Sequence, residues 1–232
     1  MSAAKSFLTD LDQAVSRGTA ESRTRALWHT TDLMITGRYS EDEIWTFGEV
    51  IGRLADEIEV AARAQLARRL ARFDKAPVNI IHKLAFDDSI EVAGPILQES
   101  DKLEPYALVA NVCTKGQTHL LAISKREQLE ETVTDVLVTR GDQEVVNSVA
   151  TNSGARFSDF GFLHMIQRAE GDSILAEQLG LREDIPRHIF QQLIAKASDD
   201  VRKRLEQERP AMVDQIKSTM SDVAGELQSK FG

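Results

Sequence analysis

The side chains with the greatest capacity for chemistry in this sequence are its five histidines. They are His29, His82, His119, His164 and His188. No two of them stand four residues apart and none lies in an HExxH motif, the spacing that lets two imidazoles on one helix bind zinc. We interpret all five as surface or packing residues, and we predict no metal site and no cofactor.

Cys113 is the single cysteine, and it lies in the apolar stretch LVANVCTKG. A reactive thiolate requires a basic or helix N-terminal environment, and only Lys115 is close in sequence. We therefore expect a small buried hydrophobic side chain and not a nucleophile. A single cysteine also excludes an internal disulfide bond.

The carboxylates recur where helices are predicted to start. A carboxylate at such a position caps backbone N–H groups and meets the positive end of the helix dipole, so no acid–base role is required. In TNSGARFSD (151–159), Ser158 suits a helix N-cap, and residues 152–154 suit a left-handed helix end, with a ligand loop as the alternative. The aspartates concerned are Asp87, Asp88, Asp142, Asp159, Asp172 and Asp184.

The sequence contains no recognisable catalytic motif. The glycine-containing stretch TKGQTH, for example, matches neither of the two common phosphate-binding motifs. We predict that the protein is not an enzyme. The alternative is an active site assembled from several structural repeats, which a fold alone neither supplies nor excludes.

A local basic stripe lies in EVAARAQLARRLARFDKAP. Its cations are Arg63, Arg68, Arg69, Arg72 and Lys75. On a continuous helix Arg68, Arg72 and Lys75 share one face. The stripe is either a solvated face with intramolecular salt bridges or a binding site for an acidic or phosphate-bearing partner.

An apolar seam marks the last predicted helix. Its residues, spaced 3, 4, 3 and 4 apart, are Val213, Ile216, Met220, Val223 and Leu227. This seam spans about two heptads, which is too short to decide between docking on the same chain and pairing with a second chain. A homodimer through this helix is one of the two expectations.

The overall composition is that of a globular protein without a transmembrane segment. The chain has 232 residues, 42% hydrophobic and 28% charged, with a formal net charge of -9. This charge argues against general binding to nucleic acid or to anionic membranes. The N-terminal sequence lacks the pattern of a signal peptide. We therefore expect a cytoplasmic location with no membrane partner.

Helical periodicity dominates the chain, and no stretch alternates for long enough to require a sheet. The most regular helix follows Ser40, whose partner Glu43 completes a capping box. Helices are predicted over about residues 7–15, 19–37, 40–58, 59–75, 77–86, 89–99, 103–112, 117–124, 128–139, 142–151, 158–169, 172–180, 185–205 and 211–230.

The short helices resemble one another. SIEVAGPILQES (89–100) aligns with DQEVVNSVATNS (142–153), so that Gly94-Pro95 falls on Asn147-Ser148. Residues 177–194 give a third copy, and residues 119–137 a looser fourth. We predict a helix that starts with a capping pair of Asp88 and Glu91 and bends at Pro95, with no ligand loop at Gly94.

Five sequence motifs carry a family resemblance. LAFDDSIEVAGPIL, THLLAISKRE, VTDVLVTRGDQEVV, TNSGARFSDFGF and LREDIPRHIFQQL, in this order, resemble an uncharacterised bacterial domain family with HEAT-like helical repeats, over about residues 77–205. The resemblance implies stacked helix pairs and no established activity. Together with the periodicity, it predicts an all-α fold: a right-handed α-solenoid of HEAT-like repeats with an N-terminal helical bundle.

Three segments follow from this prediction. They are N-terminal helices over 1–75, either separate from the repeats or continuous with them, HEAT-like repeats over 76–209, and an amphipathic C-terminal helix over 210–232. The predicted function is a non-catalytic interaction scaffold for an unidentified protein partner, in bacterial signalling or regulation. The alternative is a nucleic-acid-binding HEAT-like module that uses the basic helix 63–75.

Overall fold

The chain is all-helical in a computed structural model that describes residues 18–231, with side chains described as far as residue 225. These residues form fourteen α-helices and one 3₁₀ turn (Pro210–Met212), and they contain no β-strand. The helices are α1 (Ala20–Thr36), α2 (Glu41–Asp56), α3 (Val60–Leu70), α4 (Val78–Ala85), α5 (Ile90–Glu99), α6 (Pro105–Thr114), α7 (Gln117–Ser124), α8 (Glu131–Arg140), α9 (Gln143–Thr151), α10 (Asp159–Ala169), α11 (Ser173–Leu181), α12 (Arg187–Lys196), α13 (Asp199–Glu208) and α14 (Val213–Phe231).

The all-α prediction is confirmed, and most predicted helices match to within a few residues. The helix predicted near residues 7–15 lies outside the described part of the chain. The single helix predicted over 185–205 is wrong, because the Ser198 hydroxyl accepts a hydrogen bond from the Val201 N–H and starts α13 as a separate helix. Among the described residues, no helix combines the length and the apolar character needed to cross a membrane.

Two local predictions about turns are also wrong. Asp88 and Glu91 do not cap α5: its N-cap residue is Ser89, whose N–H donates to the side chain of Asp87, 2.9 Å away. Residues 152–154 are not left-handed, since only Gly171 has a positive φ in the described chain. Gly154 instead accepts a hydrogen bond from the Leu129 N–H across an isolated parallel bridge.

The predicted capping box at α2 is confirmed. The Ser40 hydroxyl accepts from the Glu43 N–H (3.4 Å), and the Glu43 carboxylate accepts from the Ser40 N–H (2.9 Å). These hydrogen bonds hold the pKa of Glu43 below its ordinary value, the backbone bond contributing most.

The capping box predicts a pH dependence. Because the folded-state pKa of Glu43 is lowered, its stabilising effect is full above the unfolded pKa of about 4.3 and is lost as the pH falls through the folded pKa. Glu43→Ala should therefore lower the melting temperature at pH 7, and the difference from the wild type should shrink below about pH 4. Thermal melts at a series of pH values measure this, with Glu41→Ala, an exposed acid of the same turn, as the control. A pH-independent difference would contradict the capping role.

The helices cluster into two compact units, one ending at Arg126 and one beginning at Glu127. The boundaries predicted at 75/76 and 209/210 stay predictions. In the first unit, α3 packs on α5 and α5 packs on α7, while α2 packs on α4. In the second unit, α8, α10, α12 and α14 pack in succession, as do α9, α11 and α13. Within each unit, then, helices two apart in sequence lie side by side.

Polar contacts repeat with the same period in each unit. Lys83 pairs with Asp56, 27 residues earlier, and the Asn111 amide donates to the Ala85 carbonyl, 26 residues earlier, in the first unit. In the second unit Arg204 pairs with Glu177 at a separation of 27 residues. Each of these contacts joins two helices that are two apart in the chain.

Two arginines, Arg126 (buried) and Arg209 (half-buried), join the ends of helices that are two apart in the chain. Arg126, which follows α7, donates to the carbonyl oxygens of Leu97 (2.7 Å) and Ser100 (2.9 Å) at the end of α5. Arg209, which follows α13, donates in the same way to Gly180 (2.8 Å) and Arg182 (2.9 Å) at the end of α11. These guanidinium groups supply donors to helix-terminal carbonyls that have no partner within their own helix.

Candidate functional site

A cleft of about 770 Å³ crosses the outer surface of α3, α5 and α7 in the first unit. Helix α5 forms its middle, and residues near the ends of α3 and α7 form its two edges. The cleft therefore exists only because α5 lies between α3 and α7.

Most of the α5 and α7 residues that line the cleft are apolar: Ile90, Gly94 and Pro95 of α5, and Leu121 and Ala122 of α7. The polar ones are Gln98 and Glu99 of α5 and Thr118 of α7. A Cβ atom at Gly94 would contact only the Ile90 side chain, at 3.5 and 3.8 Å. The missing side chain of Gly94 thus leaves open space above the helix, and the cleft occupies that space.

Pro95 lies inside α5, which runs unbroken through it. Because proline has no N–H, the Glu91 carbonyl lacks the hydrogen bond that residue 95 would otherwise donate. The predicted bend stays a prediction. The sequence predicts no ligand loop at Gly94, and the structure places both Gly94 and Pro95 in the cleft lining.

The edges of the cleft carry excess positive charge. Arg68 and Arg72 lie at one edge and Lys125 at the other, and all three are exposed. Among the described residues, Glu99 is the single carboxylate in the lining, and it pairs with Arg72 at 2.8 Å. Three cations against one carboxylate leave a net charge of about +2 on a chain whose net charge is -9.

The basic stripe predicted from sequence is divided by the structure. Helix α3 ends at Leu70, so Arg72 and Lys75 lie in the turn that follows and do not share a helical face with Arg68. The physical reason is local: the segment after Ala71 forms turns, and the Ala76 N–H bonds back to the Phe73 carbonyl.

Two members of the stripe are held by intramolecular contacts away from the cleft. Arg63 pairs with Asp87 at 2.8 Å and also donates to the Ile58 carbonyl. Arg69 pairs with Asp32 at 2.5 Å and lies over the Trp28 ring, 5.5 Å from its centre. In the described part of the chain, Arg68 and Lys75 have no acidic group within 4.0 Å, and of these two only Arg68 lines the cleft.

Lys125 is the site residue that sequence reasoning missed. It lies in THLLAISKRE, one of the motifs that carry the family resemblance. A signal was present, since the position directly after a helix places a lysine beside free helix carbonyls and solvent. Its position on the same cleft as Arg68 follows only from the packing of α3, α5 and α7.

The predicted C-terminal seam is partly covered within the second unit. Ile216 is buried, and α14 packs against α12 and α13. Val213, Met220 and Val223 are half-buried, and the side chain of Leu227 lies outside the described residues. Pairing of this helix with a second chain stays a prediction.

The residues considered for chemistry are dispersed. Cys113 is exposed, which corrects the expectation of a buried thiol: the buried face of α6 carries Ala107, Leu108, Asn111 and Val112, and Cys113 falls beside it. His119 is buried and its Nε2 bonds the Asp87 carbonyl at 3.0 Å. Within residues 18–225, no three His, Cys, Asp or Glu side chains are arranged to hold a metal ion.

Several carboxylates have the structural roles expected of helix caps. Asp142 accepts from the Val145 N–H at 3.0 Å, and Asp172 accepts from the Ile174 and Leu175 N–H groups at 3.0 Å. Asp88 instead pairs with Lys115, whose hydrogen bond and charge lower the pKa of that carboxyl.

Comparison with known proteins adds a family and no activity. The profile of the family described as "Uncharacterised protein conserved in bacteria (DUF2336)" matches residues 92–231. No curated protein and no solved structure matches the chain significantly.

Proposed function

The chain belongs to the DUF2336 family of bacterial proteins, and we propose that it is a non-catalytic interaction scaffold whose cleft on α3, α5 and α7 binds a segment of a partner protein. The observation that carries the proposal is a cleft with a mostly apolar lining on α5 and α7 and with a cation at each edge, Arg68 and Lys125, that forms no ion pair among the described residues. An open apolar channel flanked by polar groups is a common form of peptide-binding surface. Bacterial signalling or regulation in the cytoplasm is the setting we propose.

HEAT-like repeats are the architecture that we propose for this scaffold. Support comes from the packing of helices two apart in each unit and from polar contacts 26–27 residues apart. In repeat proteins each helix pair buries its apolar face against its neighbours, and a continuous row of helices offers an extended binding surface.

Site-specific photo-crosslinking tests the scaffold function. Gln98 and Glu91 are both exposed residues of α5, but only Gln98 lines the cleft. A photoreactive amino acid at position 98 of the full-length protein, in living cells, should give discrete crosslinked products. The same amino acid at position 91 is the matched control.

The crosslinked products from positions 98 and 91 are compared to test binding in the cleft. We expect position 98 to give products that are absent at position 91 and whose partner peptides map to one segment of a protein. Equal patterns at the two positions, or no product at position 98, would contradict binding in the cleft.

The alternative function, a nucleic-acid-binding module that uses the basic helix 63–75, has weaker support. Arg63, Arg69 and Arg72 are each engaged in an ion pair. A titration with duplex DNA at low salt separates the two functions, because phosphate binding by several cations weakens steeply with added salt. We expect no such salt-dependent binding, and its observation would favour the alternative.

A further inference from the structure

We propose that the cleft on α3, α5 and α7 takes an extended acidic peptide segment, with carboxylates at both ends and apolar side chains between them. This inference rests on the proposed scaffold function and specifies the chemistry of its partner. The proposed ligand is a protein segment, and a test result that favours another kind of ligand would reject the proposal.

The distribution of charge along the cleft sets the order of residues in the partner. Arg68 lies at the α3 edge and Lys125 at the α7 edge, and α5 lies between them with Ile90, Gly94 and Pro95 as its apolar lining residues and Gln98 and Glu99 as its polar ones. A bound segment that crosses from edge to edge therefore meets a cation, then the surface of α5 with its apolar residues, then a second cation. Carboxylates at its two ends would be complementary to this arrangement.

Helix spacing sets the length of the segment. Packed helices lie about 8–10 Å apart, so α3 and α7, separated by α5, lie about 16–20 Å apart. An extended chain covers about 3.3 Å per residue, and about five or six residues therefore span the cleft. A helix of the same length would need about twelve residues, roughly twice as many.

The apolar middle distinguishes a peptide from a phosphate-bearing ligand. Nucleic acid binding is dominated by backbone phosphates, which would leave Ile90, Pro95 and Leu121 without apolar partners. Glu99 also opposes a multiply charged anion near Arg72, since it already neutralises that guanidinium at 2.8 Å. The cleft can therefore accept two carboxylates, one paired with Arg68 and one paired with Lys125.

Peptide display on the full-length protein tests the proposal. The probe is a phage library of random heptapeptides, selected on the wild type and then measured on three proteins as synthetic peptides. The first is the wild type, the second is Arg68→Glu with Lys125→Glu, and the third is Arg187→Glu with Lys203→Glu. The third variant makes the same change in net charge at two exposed residues outside the cleft. Far-UV circular dichroism confirms that each variant is folded.

The expected result is enrichment of peptides with two or more acidic residues that flank apolar ones. Their affinity should fall at least tenfold on the cleft variant and remain within twofold on the control variant. Enrichment without an acidic bias, no enrichment, or equal losses on the two variants would overturn the inference. Discrete crosslinks at position 98 together with non-acidic selected peptides would leave the scaffold function in place and reject this partner chemistry.

Discussion

Arg182→Met is expected to lower the free energy of unfolding of the second unit by about 3–5 kcal/mol, the usual cost of removing one partner from a buried charged network. The Arg182 guanidinium is almost fully buried and donates to the carbonyls of Ala150 (3.1 Å), Asn152 (2.8 Å) and Ala155 (2.8 Å). It also pairs with Asp184 at 2.8 Å. Methionine fills a similar volume but supplies no donor, so three backbone carbonyls at and after the end of α9 would lose their partner.

Two further variants identify the cause of this loss. Arg182→Lys keeps the charge, but an ammonium group cannot reach all four acceptors, so we expect it to restore less than half of the lost stability. Arg204→Met removes an exposed partner of Glu177 in the same unit and should change the unfolding midpoint little. Urea titration followed by circular dichroism measures all three. If Arg182→Met unfolded at the same urea concentration as the wild type, the buried network would not stabilise the fold.

Gly154→Ala is expected to destabilise the second unit by about 3 kcal/mol, at the upper end of the usual cost of overpacking. A Cβ atom at this position would lie 1.8 Å from the Glu127 carbonyl oxygen. That oxygen belongs to the backbone, and the two segments are held together by Leu129 N–H to Gly154 O (3.0 Å) and Arg156 N–H to Leu129 O (2.9 Å). The clash can be relieved only by breaking this pairing.

The matched control is Gly225→Ala, because a Cβ atom there meets nothing within 4 Å. Alanine in an exposed helix position usually stabilises by up to about 1 kcal/mol relative to glycine. We therefore expect shifts of opposite sign from the same substitution at the two positions. Equal small shifts in thermal denaturation would contradict the close approach at Gly154.

Local signals in the sequence predicted most of the helix boundaries. Ser40 with Glu43, Asp142 and Ser158 each carry a side-chain oxygen that caps a helix, and each cap is confirmed in the structure. The break at Ser198 was missed because the apolar pattern continues on both sides of it. The orientation of Cys113 was missed because apolar neighbours do not specify which face of a short helix is buried.

The cleft was beyond prediction from one sequence. Arg68 and Lys125 lie in different segments, and nothing local relates them. Both residues line one cleft because α5 packs between α3 and α7 and because Gly94 leaves the surface of α5 open. Similarly, the burial of Arg182 depends on the end of α9, about thirty residues earlier. Such contacts are set by the packing of successive helix pairs.

Filling the cleft while preserving the fold tests the central claim most directly. Gly94→Phe places a large side chain in the open space beside Ile90, and Gly94→Ala at the same position leaves most of that space free. Both variants should melt no lower than the wild type, because the added Cβ makes only ordinary contacts and glycine is a poor helix former. Crosslinking from position 98 should fall at least tenfold in Gly94→Phe and persist in Gly94→Ala. Undiminished crosslinking in a folded Gly94→Phe protein would show that the partner does not bind in the cleft.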